Sequence, residues 1–296
     1  MTATTVTPAT VATIHEGAIV PPARGLIHDS WVIARRGLLH MKRQPEALSD
    51  ATIQPVMFVL LFAYVFGGAI PVPGGNYREY LMGGIFAQTI VFTAFGVALS
   101  LANDRKNNAV DRFRSLPIAK GAVLSGHAIA NLIKSLLPIV LMSLVGLVVG
   151  WRIRTDIVDA ALGYLLLIAF AFAMIWIGVL LGSLVATPEG VTGIAFVALF
   201  PLTFAASTFV PLYRVGGDGK LENTMPGVLQ AVAEWNPVTT LSNAVRIQFG
   251  NPVADQKPNA PWPIQHPALY TVIWIIAIVV ICAPLAARSY DRSIRK

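Results

Sequence analysis

Acidic residues are missing from the interior of every long apolar run in this 296-residue chain. A proton relay across a membrane needs titratable groups inside its spans, so their absence argues against a proton-coupled pump. Charge of either sign is scarce, at 12% of residues, about half of what a water-soluble domain carries. The single cysteine, Cys282, sits inside an apolar run, which excludes an intrachain disulfide and a cysteine metal site. There is no GxxxxGK[ST] segment to cradle a nucleotide, no HExxH and no GxSxG, and the five histidines are scattered. The chain is therefore not expected to be an enzyme by itself, nor to bind a cofactor or metal.

What is present is hydrocarbon: 55% of residues are hydrophobic and the mean hydropathy is +0.65. Lipid in place of water as the solvent for much of the surface accounts for this. The net charge of +7 then reflects Lys and Arg gathered on the cytoplasmic side rather than a nucleic-acid partner.

The expected fold class is an all-α polytopic membrane protein. Residues 1–23 read as a flexible cytoplasmic tail without usable periodicity, and their start, MTATTVTPAT, lacks the basic and apolar regions of a signal peptide. Over residues 24–43, Ile27, Trp31, Ala34, Leu38 and Met41 recur at steps of three and four, the apolar stripe of an interfacial helix with a basic flank. Six spans follow, at residues 51–70 and 80–102, a third led into by residues 121–131 and ending near 150, then 157–185, 191–210 and 270–287. Pro55 falls in the first turns of the first span, where proline costs least. Thr187, Pro188 and Glu189 read as a minimal turn, and Pro201 as an interruption of the fifth span.

Between spans two and three, residues 103–121 form a charged cytoplasmic loop with Arg105, Lys106, Arg112, Arg114 and Lys120. Within it, Asp111, Arg112, Phe113, Arg114, Ser115 and Leu116 read as a helical turn. Phe113 and Leu116 form its apolar edge, suited to a groove on a soluble partner. The same cluster is equally a topology signal. The outer segment, residues 211–267, holds two apolar helix-like stretches at 225–234 and 239–249, each too short to cross. They meet at Trp235, Asn236 and Pro237. This is the pattern of a re-entrant pair or of two helices lying on the surface. With both termini inside, 14 Lys and Arg lie on the cytoplasmic side against 7 outside, the expected sign of the bias.

Three stretches carry a family resemblance: residues 43–70 with the Gln54–Pro55 step, residues 111–131 (DRFRSLPIAKGAVLSGHAIAN), and STFVPLY at 207–213 followed by MPGVLQAVAEWNPVTTLSNAVR at 225–246. The chain resembles the ABC type-2 transporter permeases, and among them the daunorubicin-resistance-like drug and lipid exporters of actinobacteria. VGGDGKLENT, residues 215–224, looks like an insertion against that pattern.

The resemblance implies a plasma-membrane permease that moves a hydrophobic or amphipathic compound. It pairs with a second permease, either the same chain or a homologue. Each permease binds one cytosolic ATPase subunit, so two copies serve the complex, and ATP and Mg sit on those subunits. It also implies a connecting helix at 24–43, a six-span domain over 51–287 and a basic cytoplasmic tail at 288–296. Residues 111–116 would be the coupling helix. Glu234, Trp235, Asn236 and Pro237 would belong to the re-entrant outer gate. Phe58, Phe62, Gln88, Thr89, Phe92, Phe200, Phe204 and Thr208 are candidates for a substrate path, with ordinary helix packing as the other reading of each. An ion-driven exporter and a non-transporting scaffold are the alternative functions.

Overall fold

The computed structural model describes residues 25–43, 45–106, 122–185, 187–215, 220–253 and 260–295. It is almost wholly helical. Helix α1 spans Leu26–Arg43, α2 Pro45–Leu60, and a π-helical turn, Leu61–Phe66, continues α2. Then come α3 (Tyr77–Lys106), α4 (Ala122–Val149), α5 (Ile157–Leu184) and α6 (Pro188–Phe204). Strands β1 (Tyr213–Val215) and β2 (Leu221–Asn223) pair antiparallel, Arg214 opposite Glu222. Short helices α7 (Gly227–Glu234), α8 (Pro237–Gln248) and α9 (Trp262–Gln265) precede the long α10 (Pro267–Arg295).

Among the described residues, four helices are long and apolar enough to cross a bilayer: Tyr77–Lys106, Ser125–Val149, Ile157–Leu184 and Pro267–Ser289. At 1.5 Å per residue, the 23 residues of the shortest reach about 35 Å, enough for a hydrocarbon core of about 30 Å. Two apolar helices are shorter, Ile53–Phe66 and Pro188–Phe204.

Helix α3 is the axis. Nearly every side chain from Tyr77 to Val91 is buried, and α3 packs along α5, α6 and α8. Its approach to α5 is close because small residues face each other. A Cβ at Gly178 or Gly182 would strike the backbone oxygens of Ala94 and Ala98 at 2.4 and 2.7 Å. Two glycines four apart on one helix, set against two alanines four apart on the next, let backbones touch where apolar burial between helices drives little.

Four local expectations change. Helix α2 starts at Pro45, so Pro55 is an interior proline, because Pro45 supplies the first-turn position that suits the ring. Thr187 is an N-cap, accepting a hydrogen bond from the Gly190 amide at 3.1 Å, and Pro188 and Glu189 form the first turn of α6 rather than a link. That helix runs through Pro201 and ends at Phe204, so residues 205–210 are turns, not span. Finally, the face of α1 held against α4 is Ser30, Ile33, Ala34 and Gly37, whereas Ile27 and Trp31 point outward. Gly126 of α4 lies so close to Ile33 and the Ser30 carbonyl that even a Cβ would force a shift. The Ser30 and Ser125 hydroxyls, 2.6 Å apart, lock the pair.

Candidate functional site

Asp111, Arg112, Phe113, Arg114, Ser115 and Leu116 lie outside the described residues. The helix ends that flank them are described and tied down. Asp104 near the end of α3 faces His127 near the start of α4 at 3.8 Å. Arg105 donates to the Gly182 carbonyl at 3.3 Å. Lys106 pairs with Glu189 at 3.4 Å, both well exposed, so that pair contributes little to stability.

The opposite end of the bundle is built around a residue the sequence analysis counted as an outer cation. Arg246 is fully buried in α8. Its Nε donates to the Tyr80 carbonyl at 2.8 Å. Nη1 donates to Asn243 Oδ1 at 2.7 Å and Ser207 Oγ at 3.2 Å, and Nη2 to the carbonyls of Ser207 at 2.7 Å and Thr208 at 3.4 Å. The guanidinium also lies 3.5 Å from the centroid of the Tyr80 ring. Among the described residues no carboxylate pairs with it. Five donors on five acceptors replace the lost water, and the ring face supplies negative potential.

This placement follows from the chain break after α6. Residues 205–210 leave helical form, so their carbonyls have no intrahelical partners, and Arg246 collects two of them. Nearby polar groups complete the joint. Thr239 Oγ1 accepts from the Ser207 amide at 3.0 Å, Tyr80 OH donates to the Ser207 carbonyl at 3.0 Å and Tyr77 OH to that of Phe209 at 2.9 Å. Gly84 admits the break to α3: a Cβ there would meet the Thr208 oxygen at 1.9 Å.

Glu234, Trp235, Asn236 and Pro237, the residues expected at an outer gate, each have different surroundings. Glu234 Oε1 accepts from Tyr213 OH at 2.6 Å and from Gln230 Nε2 at 3.0 Å, joining β1 to α7. Asn236 does two jobs. Its Oδ1 caps α8 by accepting from the Val238 amide at 2.8 Å, and its Nδ2 donates to the Leu202 carbonyl at 2.7 Å and the Ala205 carbonyl at 3.3 Å. Pro237 is the first residue of α8, where its missing N–H costs nothing. Trp235 is more than half exposed. The far end of α8 is stitched to the α4–α5 link, where the buried Trp151 Nε1 donates to Asn251 Oδ1 at 2.6 Å and Thr155 Oγ1 to the Gln248 carbonyl at 2.6 Å. From that link Arg154 reaches back to the buried Glu79 of α3 at 2.6 Å. Hydrogen bonding to that carboxylate raises the pKa of the Arg154 guanidinium.

Five of the path candidates are brought into one aromatic ladder. Phe92 meets Phe200 at 5.5 Å between ring centroids, Phe200 meets Phe204 at 5.6 Å, Phe204 meets Phe58 at 6.3 Å and Phe58 meets Phe62 at 6.1 Å. At its centre lies Phe209, which is not among the residues expected from the sequence and whose ring lies 4.2 Å from Phe62, 5.6 Å from Phe58 and 5.2 Å from Phe204. Phe196 and Phe66 extend the two ends to the surface. Gln88, Thr89 and Thr208 are buried apart from these ring contacts. Gln88 Nε2 and the hydroxyls of Thr89 and Thr208 have no hydrogen-bond partner among the described residues, which costs on the order of 1–3 kcal/mol for each group.

Comparison with known proteins bears on all of this. The family model described as ABC-2 type transporter matches residues 28–249. The chain is similar to the daunorubicin resistance ABC transporter permease protein DrrB1 of Streptomyces coeruleorubidus, 30% identical over 211 residues, 71% of each chain. It is also similar to the probable doxorubicin resistance ABC transporter permease protein DrrC of Mycobacterium tuberculosis H37Rv, 24% identical over 277 residues, 92% of this chain and 91% of the relative. The putative transport permease ycf38 of Cyanophora paradoxa is 25% identical over 236 residues, 76% of this chain and 75% of the relative. The match takes in α2 through α8, the buried Arg246 joint and Glu234, Trp235, Asn236 and Pro237, and on it the chain belongs to the ABC-2 type transporter family.

Proposed function

We propose that this chain is the membrane permease subunit of an ATP-driven exporter that carries a hydrophobic or amphipathic compound (a drug, antibiotic or lipid) out of the cytoplasm or inner leaflet. A separate cytosolic ATPase subunit, two copies per complex, supplies the energy, with ATP and Mg on that subunit. A second permease, the same chain or a homologue, completes the path. The observation that carries this reading is family membership across residues 28–249 in a chain with no nucleotide motif of its own. The printed names of two relatives, permeases of daunorubicin and doxorubicin resistance, favour an amphipathic drug-like cargo.

In this reading the chain crosses the plasma membrane six times with both termini cytoplasmic, the two shorter apolar helices (Ile53–Phe66 and Pro188–Phe204) serving as spans one and five. The α1 helix connects at the cytoplasmic face, and residues 111–116 seat on the ATPase. Helices α7 and α8 form the re-entrant pair at the outer side, held shut by Arg246. ATPase closure moves the ends of α3 and α4, and α3 carries that motion to the outer joint at Tyr80 and Gly84. The aromatic ladder offers a weakly polar track from Phe196 to Phe66.

The test is purification of the tagged chain from its native membrane in mild detergent, followed by mass spectrometry. A stoichiometric P-loop ATPase whose turnover rises with cargo supports the proposal. Transport that stops on collapse of the proton gradient, but not on ATP depletion, would replace it with an ion-driven exporter. No associated ATPase and no transport leaves a scaffold.

A further inference from the structure

The end of the bundle that holds Arg246 also carries a patch of aromatic residues, of which only Trp235 has a place in the reading above. Tyr270, in the first turn of α10, is its hub. The Trp235 ring stands at 81° to the Tyr270 ring with centroids 6.1 Å apart, Trp262 at 78° and 5.9 Å, and Trp274 at 78° and 6.3 Å. Trp262 also meets His266 at 5.7 Å. The Tyr270 hydroxyl donates to the Trp235 carbonyl at 3.2 Å, tying α10 to the junction of α7 and α8. Trp235 and Trp262 are 53% and 42% exposed.

Two apolar surfaces run into this cluster. Along α10, Leu269, Val272, Ile273, Ile276, Val280, Ile281 and Leu285 all face outward, and only 11% of its most apolar window is buried. On α7 the packed side is Gln230 and Ala233, while Val228 (84% exposed), Leu229 and Val232 point away from the protein. An eight-residue helix with its aliphatic side outward would be costly in water. Indole and phenol rings with apolar bodies and hydrogen-bonding tips favour the boundary between acyl chains and headgroups.

We propose that Trp235, Trp262, Tyr270 and Trp274 are an interfacial anchor that binds the phospholipid headgroup and glycerol-ester layer. In it the indole N–H groups donate to lipid phosphate or ester oxygens, and α7 rests on the same layer through Val228, Leu229 and Val232. The occupant is lipid because the patch continues the outward strip of α10, the long apolar helix that is least covered by the rest of the chain. The inference rests on the membrane placement of α10 and not on transport or on the ATPase.

The full chain, reconstituted into phosphatidylcholine vesicles, tests it through tryptophan quenching by lipids brominated either near the ester or near the chain terminus. Replacing Trp235, Trp262 and Trp274 together by Phe removes three of the six tryptophans. The quenching by shallow bromines should fall about twofold, with the deep quenching far less changed. Equal loss at both depths, or no loss at all, overturns the anchor. An independent readout is a nitroxide on Val232→Cys in a Cys282→Ala background. Greater accessibility to oxygen than to an aqueous nickel complex supports the lipid contact. Greater accessibility to nickel places α7 in water, and dipolar broadening between labels shows a second copy of the chain on this face; either result overturns it.

Discussion

The guanidinium of Arg246 sits 3.5 Å from the Tyr80 ring centroid while its Nε donates to the carbonyl of the same tyrosine. Helix α8 is thus held to α3 through both the side chain and the backbone of one residue. The other end of the guanidinium holds the carbonyls of Ser207 and Thr208. One planar cation therefore joins three separated parts of the chain. Removing it would leave at least two carbonyls and a half-filled site in a dry interior.

Arg246→Lys keeps the charge but offers three donors in place of a five-donor fork. The variant should lose about 2–4 kcal/mol, since at least two buried acceptors go unpaired. Thermal unfolding in detergent measures this. A Tm equal to that of the wild type would show that the joint is not structural.

Gly84→Ala and Gly96→Ala separate close approach from helix propensity. At Gly84 the new methyl meets the Thr208 backbone oxygen at 1.9 Å, whereas at Gly96 nothing lies within 4 Å. Gly84→Ala should destabilise by roughly 1–3 kcal/mol through overpacking. Gly96→Ala should be neutral or gain up to about 1 kcal/mol. Equal Tm values for the two variants would contradict the packing of the break on α3.

Glu234→Ala and Tyr213→Phe each remove one side of the 2.6 Å hydrogen bond between β1 and α7. Both should impair export by a similar factor while the ATPase still co-purifies, and a double-mutant cycle should give a coupling of about 1 kcal/mol. Loss of ATPase binding in either variant would move Glu234 away from the outer gate.

Phe113→Asp with Leu116→Asp should release the ATPase from the detergent-solubilised complex without lowering the Tm of the spans. Unchanged co-purification would return residues 103–121 to a purely topological role.

Phe209→Ala removes the centre of the aromatic ladder, where three ring contacts meet. It should change the relative export rates of aromatic and aliphatic cargo while basal ATPase turnover stays within about twofold, because packing losses there are local. Uniform inhibition of every cargo would point to a packing role alone.

Much of this is legible in the sequence. A helix long enough to cross lipid must satisfy its own backbone, so length and hydropathy mark it wherever it occurs. The Asn-Pro step at 236–237 and the Thr-Pro step at 187–188 are local capping signals. Both read as junctions in the sequence, because a three-residue stretch between apolar runs looks like a turn as readily as a cap. The α1 face was harder. Its apolar stripe was visible, but helices that meet through Ser30, Gly37 and Gly126 pack by close approach, and small residues leave no mark in a hydropathy pattern.

Composition and periodicity by themselves determined that this is a helical membrane protein, and its sequence holds no GxxxxGK[ST], HExxH or GxSxG segment. They also placed the apolar helices and the short helical pair on either side of Trp235. These are properties of single segments meeting lipid, and a segment carries them alone. Tertiary structure decided which polar residues are buried and with whom: that Arg246 belongs to the interior, that Phe209 completes a ladder of rings, and that Glu234 answers Tyr213. Partners far apart in sequence meet only when the chain after α6 leaves its helix and its unpaired carbonyls require donors, and nothing in a one-dimensional pattern states where those donors come from.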